Sequence, residues 1–427
     1  MSNRIKPTVS AKVMQLLEKG VRIPSPFSVE IGEDVCTERI SGQGVTFFSG
    51  TRIYGKKTLI CAGTCLGSEA PVTLVDCFLG PQVELRGGYF KSSVFLKKAG
   101  MAGGAHVREG CLLEEEANGS HTVGLKQTIL FPFVTLGSLI NFCDCFMAGG
   151  TSRKNHSEVG SSYIHFNYTP HQDKATPSLI GDVPRGVMLN QPPIFLGGQG
   201  GLVGPVRIGY GCVIAAGTVC RRDCPEGGKI LCDSGHPRTE SEFQFDLYKD
   251  IEKKVFNNIY YVANLLALRQ WYHHIRRIFF QGQELGDELY QGAVETLQLA
   301  IEERLTRCKT LSEKMEASIA VGQHILSGER RSLLLRQQKE FMKNWPDIES
   351  TFTAAHEKAV DHSNRDAFLE IIRLKVKEAG TDYINVITNL DRPSAAKGTA
   401  WLQNIVDHVT GRVLMNLPSF RYPERTA

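Results

Sequence analysis

An apolar residue recurs every six positions in the clearest stretch of this 427-residue chain. Five consecutive hexads begin at Leu196, Leu202, Ile208, Ile214 and Cys220. A period of six fits neither the two-residue alternation of a half-buried strand nor the 3.6-residue turn of a helix. It is typical of a parallel β-helix, where each hexad supplies one short strand and a turn, and each apolar side chain stacks on its equivalent one coil away.

The character of the sequence changes near residue 235. Before that point the chain is rich in glycine, with 33 of its 42 glycines, whereas charge and leucine dominate beyond it. No proline occurs between Glu240 and Trp345, and apolar residues there recur at helical spacing. The sequence therefore predicts an N-terminal helical segment over residues 1–23, a β-helix over 24–235 and an α-helical domain over 236–427.

Composition excludes several classes of protein. The chain is 42% hydrophobic and 22% charged, has no run of about eighteen apolar residues, and begins without the apolar core of a signal peptide. A cytoplasmic protein without a membrane partner is expected, with its twelve cysteines present as reduced thiols. The net charge of +4, from 49 basic and 45 acidic residues, is too small to favour a nucleic-acid partner.

Residues 206–228, VRIGYGCVIAAGTVCRRDCPEGG, continue the hexads into a distinctive exit. Upstream, residues 152–156 read SRKNH, and Asn167-Tyr168 precedes Lys174 and the hexad at Leu179. These motifs resemble the hexapeptide-repeat acyltransferases, and within them the acetyltransferase half of the bifunctional N-acetylglucosamine-1-phosphate uridyltransferase/glucosamine-1-phosphate acetyltransferases. The resemblance covers about half of the chain. It implies a left-handed β-helix, a homotrimer and acetyl-CoA as co-substrate.

The resemblance also suggests which residues carry the chemistry. The histidine of the SRKNH segment, His156, matches the family's catalytic base, and histidine can take a proton at neutral pH. Lys154 beside it is a candidate for holding a phosphate group. The predicted reaction is acyl transfer to an amino-sugar phosphate or a sugar nucleotide.

Two further groups of residues are predicted to bind the substrates. Asn167, Tyr168 and Lys174 lie in a polar interruption of the hexads, where a protruding loop would hold the acceptor. Ala216 and Gly217 would flank the groove for the coenzyme A donor. Asn167, Tyr168 and Lys174 also fit a loop that packs against a neighbouring subunit, and the small residues of the groove also fit ordinary hexapeptide positions, so these interpretations stay open.

Other functions fit parts of the same sequence. A non-catalytic sugar-nucleotide-binding or scaffold protein would keep the β-helix and use its helices to recruit partners. Ser49-Gly50-Thr51-Arg52 echoes a nucleotide loop of sugar-1-phosphate nucleotidyltransferases. The histidines His156, His165 and His171 suggest a zinc hydratase similar to the β-helix carbonic anhydrases, although no metal site is assigned from the sequence.

The segment from Trp271 to Arg277 combines aromatic and basic residues. An amphipathic helix explains it better than a binding patch, with Trp271 and Ile275 on the apolar face and His273, Arg276 and Arg277 projecting elsewhere.

Overall fold

The structure of the chain is a computed structural model that describes residues 9–232, 240, 242–354 and 362–421. The predicted boundary at residues 235 and 236 lies outside these ranges. The described strands run from Glu30 to Leu231, and the long helices begin at Ile251. The predicted fold class, a parallel β-helix followed by α-helices, is confirmed.

The β-part is a solenoid with three faces, each built from short strands of successive coils paired in parallel. Faces A and B together form a 16-stranded sheet and face C a ten-stranded sheet. Face A contains Glu30–Ile31, Arg52–Tyr54, Val72–Val75, Gly88–Lys91, Ala105–Val107, Ile164–Phe166, Gly201–Val203 and Val219–Cys220. Face B contains Leu59–Ile60, Phe78–Leu79, Ser93–Phe95, Cys111–Leu113, Ser178–Ile180 and Arg207–Ile208. Two longer strands, Val123–Leu130 and Ile140–Met147, turn from face A onto face B.

Face C closes each coil. Its strands are Thr46–Phe47, Cys65–Leu66, Glu84–Leu85, Gly100–Met101, Asn118–Gly119, Thr135–Leu136, Glu158–Val159, Phe195–Leu196, Val213–Ile214 and Ile230–Leu231. We call the corner between faces A and B the first edge, that between B and C the second edge, and that between C and A the third edge.

Apolar side chains stack in ladders inside the solenoid. On face A one ladder is continuous through paired positions that are at most 1% exposed: Ile53, Leu74, Phe90, Val107, Leu125 and Phe142. The predicted hexads obey the same rule, because Leu196 pairs with Ile214 and Leu202 with Cys220, each eighteen residues or three hexads apart. The six-residue period therefore identifies the residues whose side chains form the core of the solenoid.

Of the insertions that interrupt the regular coils, two lie where the sequence predicted functional residues. At the first edge, residues 167–177 form a loop between the face A strand Ile164–Phe166 and the face B strand Ser178–Ile180. At the second edge, a hairpin of the antiparallel strands Gly150–Ser152 and Asn155–His156 follows Met147 of face B and precedes face C. Both insertions contain residues that the sequence singled out.

Ten α-helices occur in the described residues. They are α1 Ala11–Lys19, α2 Val183–Gly186, α3 Ile251–Trp271, α4 Arg277–Phe280, α5 Gly286–Glu313, α6 Met315–Ile325, α7 Gly328–Ala354, α8 Ser363–Ala379, α9 Tyr383–Thr388 and α10 Arg392–Met415. Helix α1 packs on the first coil, whereas α5 packs on the face B strands Phe78–Leu79, Ser93–Phe95 and Cys111–Leu113, and α3 on Ser178–Ile180. The C-terminal helices thus cover a lateral face of the solenoid. Among the described residues, no helix is both long and apolar enough to cross a membrane.

The segment after α3 is helical and buried, and one detail of the prediction is wrong. Trp271 and Ile275 are fully buried, and His273 and Arg277 are exposed, as predicted. Arg276 was expected to project elsewhere, but it is only 1% exposed. Residues Tyr272–Arg276 form a π-helical turn, and Nη2 of Arg276 pairs with Oε1 of Glu115 on the solenoid.

Candidate functional site

His156 lies at the end of the hairpin on the second edge. Its side chain keeps 20% of its surface exposed, and its Nδ1 lies 2.9 Å from the backbone oxygen of Arg153. A carbonyl oxygen can only accept a hydrogen bond, so Nδ1 carries the proton and the neutral ring keeps its lone pair on Nε2. Nε2 lies 4.0 Å from Oε2 of Glu158. The imidazole is therefore held in the tautomer that a general base requires.

The hairpin itself is fixed by contacts with the coils below it. Arg153 donates from Nη1 to the backbone oxygens of Phe133, at 2.7 Å, and Glu116, at 3.2 Å. The hydroxyl of Ser157 donates to the oxygen of Ala148 and accepts from the backbone N–H of Ile194. Arg153 thus anchors the turn that presents His156.

Lys154 occupies the tip of the same hairpin. It is exposed, and its backbone N–H donates to the hydroxyl of Ser152 at 3.3 Å. The position leaves its ammonium group on the same insertion as His156, at the surface of the second edge.

The loop 167–177 on the first edge carries the second predicted group. Asn167 donates from Nδ2 to Oδ2 of Asp144 at 2.8 Å, and the other carboxylate oxygen of Asp144 lies 2.5 Å from Nη2 of Arg304. Tyr168 is 59% exposed and Lys174 is also exposed, while the backbone oxygen of Lys174 accepts from Nη1 of Arg304. The helices therefore hold the loop from inside and leave Tyr168 and Lys174 facing out.

Within one chain the two predicted groups lie apart. His156 and Lys154 are on the second edge, Asn167, Tyr168 and Lys174 are on the first, and face B with its covering helices lies between these edges. Two chains placed edge to edge are needed to bring both groups into one cleft.

Ala216 and Gly217 lie on the third edge, near the end of the solenoid. Both are exposed, and Gly217 has a φ of +74° in the turn between faces C and A. Its backbone N–H donates to the oxygen of Gly198 at 2.9 Å. Stacking is tight beneath this turn, because a Cβ on Gly197 would come within 2.3 Å of the backbone nitrogen of Ala216. The two small residues form a flat, accessible corner away from the other predicted groups.

The three histidines of the zinc alternative do not share a site. His165 is 2% exposed, and its ring nitrogens lie 2.6 Å from the oxygen of Cys143 and 2.7 Å from the hydroxyl of Ser178. Nδ1 of His171 accepts from the backbone N–H of Asp246. Among the described residues, no group of three or more His, Cys, Asp or Glu side chains is placed to hold a metal ion. Both ring nitrogens of His165 therefore take part in hydrogen bonds within the core.

Burial gives His165 a pH-dependent effect on stability. Loss of hydration lowers its pKa to about 4, with Arg304 acting in the same direction and Asp144 opposing it. The unfolded chain binds this proton near pH 6.5. Stability should therefore fall as the pH drops from 6.5 toward 4, by about 2–3 kcal/mol between pH 7 and 4.5.

Urea unfolding at pH 7 and at pH 4.5 measures this loss of stability. The loss should be smaller by about 2–3 kcal/mol in His165→Gln than in the wild type. The exposed His106, replaced by glutamine, controls for the removal of a histidine. Contributions from other groups, such as His274, whose pKa burial also lowers to about 4, are common to all three proteins and cancel in the comparison. An equal loss in wild type and His165→Gln would contradict the assignment.

Sequence reasoning missed the residues that attach the helices to the solenoid. Arg304 and Asp144 are 2% and 5% exposed, and the ion pair between them supports the loop that is predicted to hold the acceptor. Lys254 similarly pairs with Asp173 of the loop at 2.9 Å. The signal in the sequence was weak, since a charged residue on an amphipathic helix is normally solvated.

Comparison with known proteins supports the resemblance to the hexapeptide-repeat enzymes. The chain is 28% identical over 221 residues to the bifunctional protein GlmU of Thermotoga maritima, covering 50% of this chain and 42% of that protein. It is 28% identical to GlmU of Clavibacter sepedonicus over 183 residues, 43% of this chain and 33% of the relative. GlmU of Carboxydothermus hydrogenoformans matches at 24% over 223 residues, 52% and 44% of the two chains.

The chain spans less than half the length of these curated relatives. No family model matches it.

Proposed function

We propose that the chain is a cytoplasmic acyltransferase that moves an acetyl group from acetyl-CoA to an amino-sugar phosphate or a sugar nucleotide. The observation that carries this proposal is the hydrogen bond from Nδ1 of His156 to the oxygen of Arg153, which leaves Nε2 as a base at the solvent-exposed second edge. The similarity to GlmU proteins over half of the chain supports a transferase.

In the proposed reaction, the nitrogen or oxygen of the acceptor's amine or hydroxyl attacks the acyl carbon. Nε2 of His156 takes the proton from this attacking group as the new bond forms. The carbon–sulfur bond then breaks, and the thiolate of coenzyme A leaves with the electron pair and takes a proton. Developing negative charge on the carbonyl oxygen needs a donor, for which backbone N–H groups of a turn are suited. The carboxylate of Glu158 lies 4.0 Å from Nε2, where its negative charge would stabilise the positive charge that develops on the ring in this step.

The proposed site is shared between subunits of a homotrimer. His156 and Lys154 of one subunit would meet Asn167, Tyr168 and Lys174 of the next, because these groups lie on different edges of one chain. Lys154 and Lys174 would bind phosphate oxygens, and Asn167 and Tyr168 would orient the sugar. The corner at Ala216 and Gly217 would take the coenzyme A donor.

A second candidate is a non-catalytic sugar-nucleotide-binding or scaffold protein. The helices that cover face B favour it, because they occupy a lateral face of the solenoid along several coils. In this case the solenoid is a rigid support, and the predicted residues bind a ligand without reaction or take no part in function.

Release of the coenzyme A thiol tests the leading proposal. The full-length chain is mixed with acetyl-CoA and a panel of amino-sugar phosphates and nucleotide-linked amino sugars, and free thiol is measured. We expect turnover with one class of acceptor and a mass in solution of three chains. The absence of turnover with every acceptor, together with no binding of coenzyme A, would reject the enzyme and favour the scaffold; the mass of a single chain would reject the shared site.

A further inference from the structure

Two cysteines meet near the C-terminal end of the solenoid. Cys212 lies on the second edge, directly before the face C strand Val213–Ile214. Cys224 belongs to the following coil and pairs with Ile208 of face B. The two sulfur atoms are 3.8 Å apart, and both lie close to the backbone oxygen of Glu226, at 3.3 and 3.7 Å. The fold thus places two thiols from adjacent coils in direct contact.

The two thiols differ in their access to solvent. Cys212 is fully buried, whereas Cys224 is half-buried. The residues that follow Cys224, 225–230, are all exposed, and a Cβ on Gly228 would meet no atom within 4 Å. A small oxidant can therefore approach the sulfur of Cys224 from this exposed segment, while the sulfur of Cys212 lies next to it in the core.

A small movement is enough to join the two sulfur atoms. A disulfide bond is about 2.0 Å long, so the sulfurs must approach each other by about 1.8 Å. Among the described residues, no named strand follows Cys224 on face B. The segment that carries this thiol can therefore shift without displacing a further coil of that face.

We propose that Cys212 and Cys224 form a reversible redox site, at which a peroxide joins the two thiols in a disulfide. The thiolate of Cys224 attacks one oxygen of hydrogen peroxide, the O–O bond breaks, and the hydroxide that leaves takes up the proton that the thiol lost. The sulfur of Cys212 then attacks the resulting sulfenic acid: the S–S bond forms, the S–O bond breaks, and a second water leaves. The two thiols lose two protons and two electrons, and the peroxide is reduced to two water molecules.

The bond would restrain the end of the solenoid. It closes a loop that contains Ala216 and Gly217, the exposed corner of the third edge. A cross-link stabilises mainly by restricting the opened chain, so the coil should open less often in the oxidised protein. The site does not depend on the proposed acyl transfer, because it requires only the two thiols and the coils that carry them.

The surroundings of Cys224 set the rate of its oxidation. Burial, together with the neighbouring Cys212, raises the pKa of the Cys224 thiol to about 11. The thiolate is the nucleophile, so oxidation should be slow at pH 7 and should accelerate about 100-fold between pH 7 and pH 9. A thiol with the ordinary pKa of about 8.5 would gain about 25-fold over the same range.

Peptide mapping of the full-length chain tests the proposal. The protein is treated with hydrogen peroxide at pH 8, the remaining thiols are blocked, and a tryptic digest made without reductant is analysed by mass spectrometry. Trypsin cleaves after arginine and lysine, so Cys212 lies in the peptide 208–221 and Cys224 in the peptide 223–229. We expect these two peptides to be joined, with a mass two hydrogens below their sum, and to separate when dithiothreitol is added.

Cys220→Ser is the matched control, because Cys220 is a buried cysteine in the same tryptic peptide as Cys212. The joined peptides should persist in Cys220→Ser and should be lost in Cys212→Ser and in Cys224→Ser. Backbone amides of residues 213–223 should exchange hydrogen about tenfold more slowly in the oxidised wild type than in the reduced protein.

Thermal unfolding shows whether each variant is folded, and either of the two cysteine variants that remove the site is sufficient for the comparison. The proposal would be overturned if both thiols stayed free after peroxide treatment. It would also be overturned if the cross-link joined Cys220 to Cys224 instead, which its loss in Cys220→Ser and its persistence in Cys212→Ser would reveal.

Discussion

Replacing Arg304 with methionine is expected to destabilise the protein by about 3–5 kcal/mol, because the change leaves a buried carboxylate without its partner. Asp144 is 5% exposed and lies 2.5 Å from Nη2 of Arg304. Asn167 donates one hydrogen bond to the same carboxylate, which cannot neutralise its charge. Chemical unfolding at pH 7 measures the loss.

The next arginine on the same helix provides a matched control. Arg307 pairs with Glu303 at 2.8 Å, four residues away, and the two side chains are 30% and 23% exposed. Exposed pairs of this spacing contribute about 0.3–0.5 kcal/mol, so Arg307→Met should have a small effect. Similar losses in both variants would show that Arg304 acts through its apolar stem or through helix propensity instead.

A second substitution separates the charge from the packing. In Asp144→Asn combined with Arg304→Met, no buried charge is left without a partner; asparagine also tolerates the φ of +60° at residue 144 and can still accept from Asn167. Much of the stability lost in Arg304→Met should return. If the losses simply add, the ion pair does not couple helix α5 to the first edge.

The solenoid could be predicted because its core requires apolar residues at a fixed spacing, and that spacing is visible in the sequence. Each coil must place an apolar residue inward at a fixed period, so the repeat alone identifies Leu196, Leu202 and Ile208 as core positions, and all three are at most 1% exposed. For the C-terminal half of the chain, the sequence predicted only that it is helical. Apolar spacing shows that helices form, but not which surface they cover.

The docking of the helices on face B could not be predicted because polar residues carry much of it. Tyr272 donates to Glu114 at 2.5 Å, and Arg276 pairs with Glu115. On a helix, Arg276 is expected to be solvated, but it lies buried beside Glu115 in a π-helical turn that no periodicity indicated. The run Glu114-Glu115-Glu116 within the hexads was the available signal, since buried carboxylates need partners.

The candidate site was predictable by residue but not by arrangement. The match of residues 152–156 to a family motif identified His156, and the structure places it on a hairpin with Nδ1 2.9 Å from the backbone oxygen of Arg153. No local pattern could show that Asn167 lies on another edge, since that depends on how the coil is divided among three faces.

Replacing His156 with glutamine is expected to lower the rate of acetyl transfer by about 10²–10⁴-fold, the usual contribution of a general base. Glutamine can still hydrogen-bond to the oxygen of Arg153, so the hairpin should persist while the proton acceptor is lost. Thiol release at saturating acetyl-CoA measures the change, and binding of coenzyme A should be nearly unaffected, because in the proposed reaction this residue acts on the acceptor.

His121→Gln controls for the loss of a histidine on the solenoid surface. His121 is exposed, its Nδ1 lies 3.3 Å from the hydroxyl of Thr122, and it belongs to the third edge. Glu158→Gln adds a test of the mechanism: the rate should fall less than in His156→Gln, because the carboxylate lies 4.0 Å from Nε2 and the base itself remains. If His156→Gln turns over at the wild-type rate, the general base is not on this hairpin, and the chemistry proposed for the second edge is wrong.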